Sequence, residues 1–186
     1  MNAPVSSTPS AQPVDFDALV RVAVRPFTTA PLRIAGSFVF HADRDTLFHR
    51  VSEPDQIASW FALIRGGSTD HEASCSVGEW NAGSKRYCHT YGMGTLDETI
   101  LYWDGPTAYS YAVKNPLMPI RDHAALMVVE SWGPEKSRFT WHQYFELTGL
   151  VMRHGFKPMM LGMMNRGLAK LGEELGGEPS EMRWHD

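Results

Sequence analysis

The 186-residue sequence predicts one α+β domain in which a strongly curved antiparallel sheet of six to seven strands wraps a long C-terminal helix, with two short helices after the first strand. Short strand-like runs with period-two alternation recur between residues 34 and 147, turn residues separate them, and a single helical apolar stripe follows. Ten Met, nine Phe, six Tyr and six Trp supply more adaptable apolar bulk than a core of this size needs, which points to a lined cavity.

Taken in order, residues 1–13 carry Pro4, Pro9 and Pro13 and no charged side chain, the composition of a disordered tail. Residues 14–31 are an N-terminal extension in which Phe16, Leu19, Val20 and Ala23 have the spacing of a short amphipathic helix, stopped by Pro26. The domain proper, 32–176, opens with a strand in which Ile34, Gly36, Phe38 and Phe40 alternate with Ala35, Ser37, Val39 and His41. Asp43 can cap a helix over 42–52, and Pro54 takes the favoured first-turn position of a second helix over 54–64, ended by Gly66-Gly67. Six strand-like runs follow at 68–74, 84–92, 95–103, 107–115, 123–132 and 138–147. Gly78, Gly83, Gly92, Gly94, Asp104-Gly105-Pro106, Asn115-Pro116 and Gly133-Pro134 punctuate them as turns. Over 150–175, Phe156, Met159, Met160, Met163, Met164, Leu168, Leu171 and Leu175 form one helical stripe, and Pro158 is expected to kink that helix or delay its start. Residues 177–186 read as a tail. To hide its stripe the helix must cross the concave face of the sheet, and unfilled space between them becomes a pocket, ~300 to 1,000 Å3 in ligand-binding proteins.

Composition removes several functions. A net charge of −4 and the lack of any Lys/Arg run beyond a neighbouring pair argue against nucleic acid as a partner. The start MNAPVSSTPSAQP has neither the basic nor the apolar part of a secretory signal, and no run approaches the ~20 apolar residues of a membrane span, so the expectation is a cytoplasmic protein without stable membrane insertion. Cys75 and Cys88 lack CxxC spacing, the eight histidines are scattered singly, and no phosphate-binding glycine loop opens a helix. No metal and no cofactor is therefore expected, and the oligomeric state is left open, a homodimer included.

The segments ADRDTLFHRVSEPDQIASWF, GSKRYCHTYGMGTLDETILYWDGP, NPLMPIRDHAALMVVESW and FTWHQYFEL, in this order of elements, resemble the START/Bet v 1-like superfamily and within it the bacterial polyketide cyclase/dehydrase-like (SRPBCC) branch, over about residues 34 to 175. The resemblance implies the helix-grip fold and a partner that is a small hydrophobic, aromatic, polyketide-like or lipid-like molecule. Some members act as enzymes on such molecules.

Strand parity selects the residues that face the pocket. Phe139, Trp141, Gln143 and Phe145 should point inward and His142 outward. On the preceding strand hydrophobicity alone does not separate His123, Ala125, Met127 and Val129 from Ala124, Leu126 and Val128. The distantly similar plant abscisic-acid receptors carry an aromatic pocket residue two positions after a loop arginine, here Arg121, which favours the His123 set. Tyr109, Tyr111 and Val113 should face inward beside Glu98, Ile100 and Tyr102. Glu98 lies between Leu96 and Ile100 on the apolar face, where a carboxylate must be paired or neutralised. Arg86, with Cys88 on the same parity, is either its structural ion-pair partner or an anchor for an acidic ligand. Met159, Met160, Met163 and Met164, with Phe156, would form a deformable wall. Tyr91 and Met93 in one turn, and Leu117, Met118 and Ile120 in another, would gate the mouth. Three functions fit these residues. The leading one is a binding protein enclosing a hydrophobic ligand; the second is a cyclase, dehydratase or isomerase with Glu98 or His123 as general acid/base and Tyr109 or Tyr111 steadying an enolate. The third is an interaction module whose vestigial pocket its own side chains fill.

Overall fold

A computed structural model describes residues 14–149, 152–178 and 180–186, the side chains of 152–154 excepted. The expectation for residues 1–13 lies outside them. The elements run α1 (Phe16–Ala23), β1 (Leu32–Phe40), α2 (Arg44–Ser52), α3 (Pro54–Trp60), β2 (Ile64–Asp70), β3 (Lys85–Thr90), β4 (Thr95–Asp104), β5 (Ala108–Lys114), β6 (Ile120–Gly133), β7 (Lys136–Leu147), α4 (Met152–Leu175) and β8 (Arg183–Trp184). Among the described residues eight strands form one antiparallel sheet in the order β2-β3-β4-β5-β6-β7-β1-β8.

Local chemistry sets the short helices. The Asp43 carboxylate accepts from the Thr46 N–H at 2.8 Å and opens α2, and Pro54 starts α3, where a missing N–H leaves nothing unpaired. α3 stops at Trp60 rather than at residue 64, and Ile64 and Gly66-Gly67 belong to β2. The glycine pair is no helix terminator: a Cβ on Gly67 would lie 2.6 Å from the Tyr87 carbonyl oxygen and 2.8 Å from Pro54, so glycine lets β3 and α3 close on this strand. The run 68–74 is strand only as far as Asp70.

Two apolar clusters lie on opposite faces of the sheet. On the concave face Ile100, Tyr109, Met127, Phe139, Trp141 and Phe145 meet Phe156, Met160, Met164, Leu168 and Leu171 of α4. Pro158 lies inside α4, which starts six residues before it, so the proline does not delay the helix. Gly167 faces α3, where a Cβ would lie 2.7 Å from the Phe61 ring, and its absence draws the two helices together. On the convex face α1, capped by Asp15, packs Leu19, Ala23 and Val24 onto Ala108, Ala124, Leu126, Val128 and Tyr144. The Ser110 hydroxyl donates to the Ala23 carbonyl at 2.6 Å, and Thr28 Oγ1 donates to the Asp122 carbonyl at 2.7 Å. β6 is thus buried on both faces, which is why its hydrophobicity did not choose one.

Two expectations change here. A bulge between Ile100 and Tyr102 inverts parity, sending Tyr102 to the convex cluster and Trp103 inward, where it stacks on Trp80 with centroids 5.1 Å apart. Residues 177–186 are no tail: Met182 is buried against Gly36, β8 pairs with β1, and the Trp184 ring meets Phe145 edge-on at 5.7 Å. The convex cluster makes α1 part of the folded unit, so Leu19→Ala should cost about 2 kcal/mol in urea unfolding. An unchanged midpoint would mean that α1 does not pack on the sheet.

Candidate functional site

The site begins at the end of α2, where a helix leaves its last carbonyls without intrahelical donors. Side chains meet three of them. Trp60 Nε1 donates to the Arg50 carbonyl at 3.0 Å, the Tyr109 hydroxyl to the Val51 carbonyl, and Arg86 Nη1 to the Ser52 carbonyl at 2.6 Å. A cation at a helix C-terminus also opposes the helix dipole.

Pairing of β3 with β4 sets Arg86 directly opposite Glu98 on the concave face. The guanidinium Nε donates to the Glu98 carboxylate, and the two side chains are only 2% and 7% exposed. The guanidinium also lies over the Tyr111 and Tyr109 rings, 5.1 and 5.5 Å from their centroids. Burial is the largest single influence on the Arg86 pKa and would lower it, but the facing Glu98 carboxylate together with Tyr109, Cys88 and Tyr111 outweighs it and holds the group charged. The Cys88 thiol, 3.6 Å from the same Glu98 oxygen, is pushed up by burial and then by that carboxylate, so it stays a thiol and not a nucleophile. Burial pushes Tyr109 up to about 12 and holds Tyr111 well above its ordinary value, with Glu98 adding to the latter, so both phenols are neutral.

Next to this pair two small adjoining cavities, about 40 and 60 Å3, share Phe61, Leu96, Glu98, Tyr111 and Trp141. Arg86, Cys88 and Met127 line the inner one with Ile57, Trp60 and Ile64. Met93, Val113, Met118, His123 and Gln143 line the outer one with Leu63 and with Met160, Met163 and Met164 of α4. Sheet register pairs Ala125 with Tyr111 on one side and with Gln143 on the other, and both of these longer side chains reach the outer cavity. Both spaces fall far below the several hundred Å3 of a ligand-sized pocket. Surface grooves of about 710 Å3, beside Phe38, Phe40 and Leu168, and 720 Å3, beside Phe27, Lys114 and Asp122, are larger but open. The smaller spaces hold the buried polar groups.

The profile of the family described as polyketide cyclase / dehydrase and lipid transport matches residues 31–176. The chain belongs to this family. No curated protein matches it. Among solved structures, the protein XoxI from Bacillus cereus is similar with a TM-score of 0.60 at 13% identity, covering 76% of this chain and 93% of that one. A START superfamily protein from Mycobacterium smegmatis gives 0.55 at 13% identity over 77% and 93%, and an HSP90 activator from Plasmodium falciparum gives 0.57 at 11% over 81% and 100%. At these identities the likeness is one of fold.

Within this polyketide cyclase / dehydrase and lipid transport fold, several expected residues stand away from the cavities. Tyr109 and Ile100 are buried beside them without lining them, and Phe156 packs edge-on against Phe145 at 6.0 Å. Met159 is 50% exposed; at ~100° of helix per residue it turns away from Met160 and leaves the wall. Of the gate residues Met93 and Met118 reach the outer cavity, while Tyr91 and Leu117 are exposed and Ile120 lines the open groove. Sequence reading missed Ile57, Trp60, Phe61 and Ile64, whose i, i+3, i+4, i+7 spacing after Pro54 was the available signal. It also missed Trp80, whose Nε1 donates to Glu53 at 2.8 Å. Among the described residues no group of three His, Cys, Asp or Glu side chains is arranged to hold a metal ion, and no helix is long and apolar enough to cross a membrane.

His123 follows a bulge in which Asp122 takes φ 51°. Its Nδ1 accepts from the Val113 N–H at 3.0 Å, so the neutral ring carries its proton on Nε2 and donates it to Gln143 Oε1 at 2.8 Å. With both nitrogens engaged, the ring has no free lone pair for a base. Burial lowers its pKa to about 4, only partly offset by the Gln143 bond. Burial likewise lowers His142, outside the sheet beside Phe16, to about 4. Because the folded values lie below the ordinary 6.5, the unfolded chain takes up protons first on acidification. Stability should therefore be full above pH 6.5 and fall towards pH 4, each imidazole contributing about 2 kcal/mol by pH 4.5. Urea unfolding at pH 7 and 4.5 should show a smaller loss in His123→Gln than in the parent; equal losses would contradict a neutral buried His123.

Proposed function

We propose that this chain binds a small, mostly apolar molecule between the concave face of the sheet, α3 and α4, with the turns carrying Met93 and Met118 as its movable cover. The observation that carries the reading is the paired internal cavities, walled by aromatic and methionine side chains and crossed by a few polar atoms of Glu98, Tyr111 and Trp141. Five of the outer lining residues are drawn from α4 and β5, and of these Met160, Met163 and Met164 can change rotamer at low cost to enlarge a space that is small when closed. The family description, which joins polyketide chemistry with lipid transport, supports a hydrophobic ligand of either kind. Catalysis is less well served: His123 has both nitrogens occupied, Tyr109 closes α2, and Cys88 stays protonated. The small closed volume makes a pocket filled by its own side chains the competing reading.

Titration of the full chain with the neutral fluorophore N-phenyl-1-naphthylamine separates the two. Saturable, one-to-one enhancement is expected, weakened at least about tenfold in Leu96→Trp, which enlarges a side chain in the wall shared by both cavities. An enhancement that does not saturate in the parent, or that Leu96→Trp leaves intact, would favour the filled pocket.

A further inference from the structure

Trp141 lines both cavities and is 4% exposed, yet its indole Nε1–H has no acceptor among the described residues. A buried donor left unpaired costs about 1–3 kcal/mol relative to one that is bonded, so such a group inside a cavity marks a place for an acceptor. The neighbouring Tyr111 hydroxyl stands in the same cavity walls, close enough to Trp141 for the indole to act on its ionisation. Two donors thus flank one space. The charges nearby are already matched: Glu98 holds the Arg86 guanidinium, whose Nη1 is on the Ser52 carbonyl. An incoming carboxylate would have to displace Glu98 from Arg86 or sit beside it unpaired, and a low-dielectric interior opposes both.

We propose that the ligand is uncharged and carries a hydrogen-bond-accepting oxygen, that of a ketone, ester or amide carbonyl, received by the Trp141 indole N–H and the Tyr111 hydroxyl. This rests on the binding function proposed above and assigns it a ligand chemistry. Trp141 is then a specificity-determining residue and not merely a flat wall.

The test uses three probes of one shape: acetophenone, its hydrocarbon isostere α-methylstyrene, and benzoate, titrated into the full 15N-labelled chain and followed by proton–nitrogen correlation spectra. Acetophenone should bind about three- to tenfold more tightly than α-methylstyrene, and benzoate more weakly than either. One indole N–H resonance should move downfield with the ketone and not with the hydrocarbon. In Trp141→Phe that resonance should be missing and the ratio of the two neutral affinities should fall to within about twofold. Equal affinity for ketone and hydrocarbon, a preference that survives Trp141→Phe, or benzoate binding as tightly as acetophenone overturns the assignment while leaving the pocket intact. Failure of both neutral probes to bind overturns the binding function itself. If Trp141→Phe does not fold, the affinity ratio and the indole resonance of the parent decide.

Discussion

The Arg86 guanidinium lies under the end of α2 with almost no access to water, in surroundings where an unpartnered charge would cost several kcal/mol. What keeps it there also builds the site. Glu98 must stand opposite on β4, Tyr109 and Tyr111 must offer their ring faces, and the last carbonyls of α2 must point at the sheet. These requirements fix the distance between α2 and the β3–β5 strands. The space left over beyond Arg86, among Phe61, Leu96, Glu98, Tyr111 and Trp141, is where the cavities lie.

The same arrangement divides the polar side chains into those already satisfied and those that are not. Arg86, Tyr109, His123 and Gln143 bond to one another, to the backbone or to Glu98, and so hold shape. The Trp141 N–H has no such partner among the described residues. A site made this way is pre-organised on its sheet side and deformable on its methionine side, a combination that suits capture of an apolar body with one polar handle. The convex cluster under α1 supports the rigid side, since Thr28 holds the Asp122 carbonyl one residue before His123.

Much of this was legible in the sequence because period-two alternation survives wherever a strand has one wet face. β7 and β3 show it, so Trp141, Gln143, Arg86 and Cys88 could be assigned inward without coordinates. Alternation disappears on β6, where α1 covers the second face, and it is broken on β4 by the bulge that exchanges Tyr102 for Trp103. Neither a bulge nor a distant covering helix leaves a local mark in composition. The α3 wall residues were visible as a helical stripe, but nothing local says that their partner is the cavity. Met159 was misplaced because four methionines within six residues blur the edge of a stripe that only packing defines. Cavity size was beyond reach: it depends on how closely side chains of α3, α4 and strands far apart in sequence meet.

The account stands on Arg86 and Glu98 being one neutralised unit rather than two groups free to take a charged ligand. A double-mutant cycle in urea unfolding measures this directly. Arg86→Met and Glu98→Gln should each cost about 3–5 kcal/mol, and the double variant should lose clearly less than their sum, because removing both leaves no lone buried charge. Additive losses, or a near-neutral Glu98→Gln, would mean that the two side chains do not close on each other, and the cavity would then have a free charge to offer.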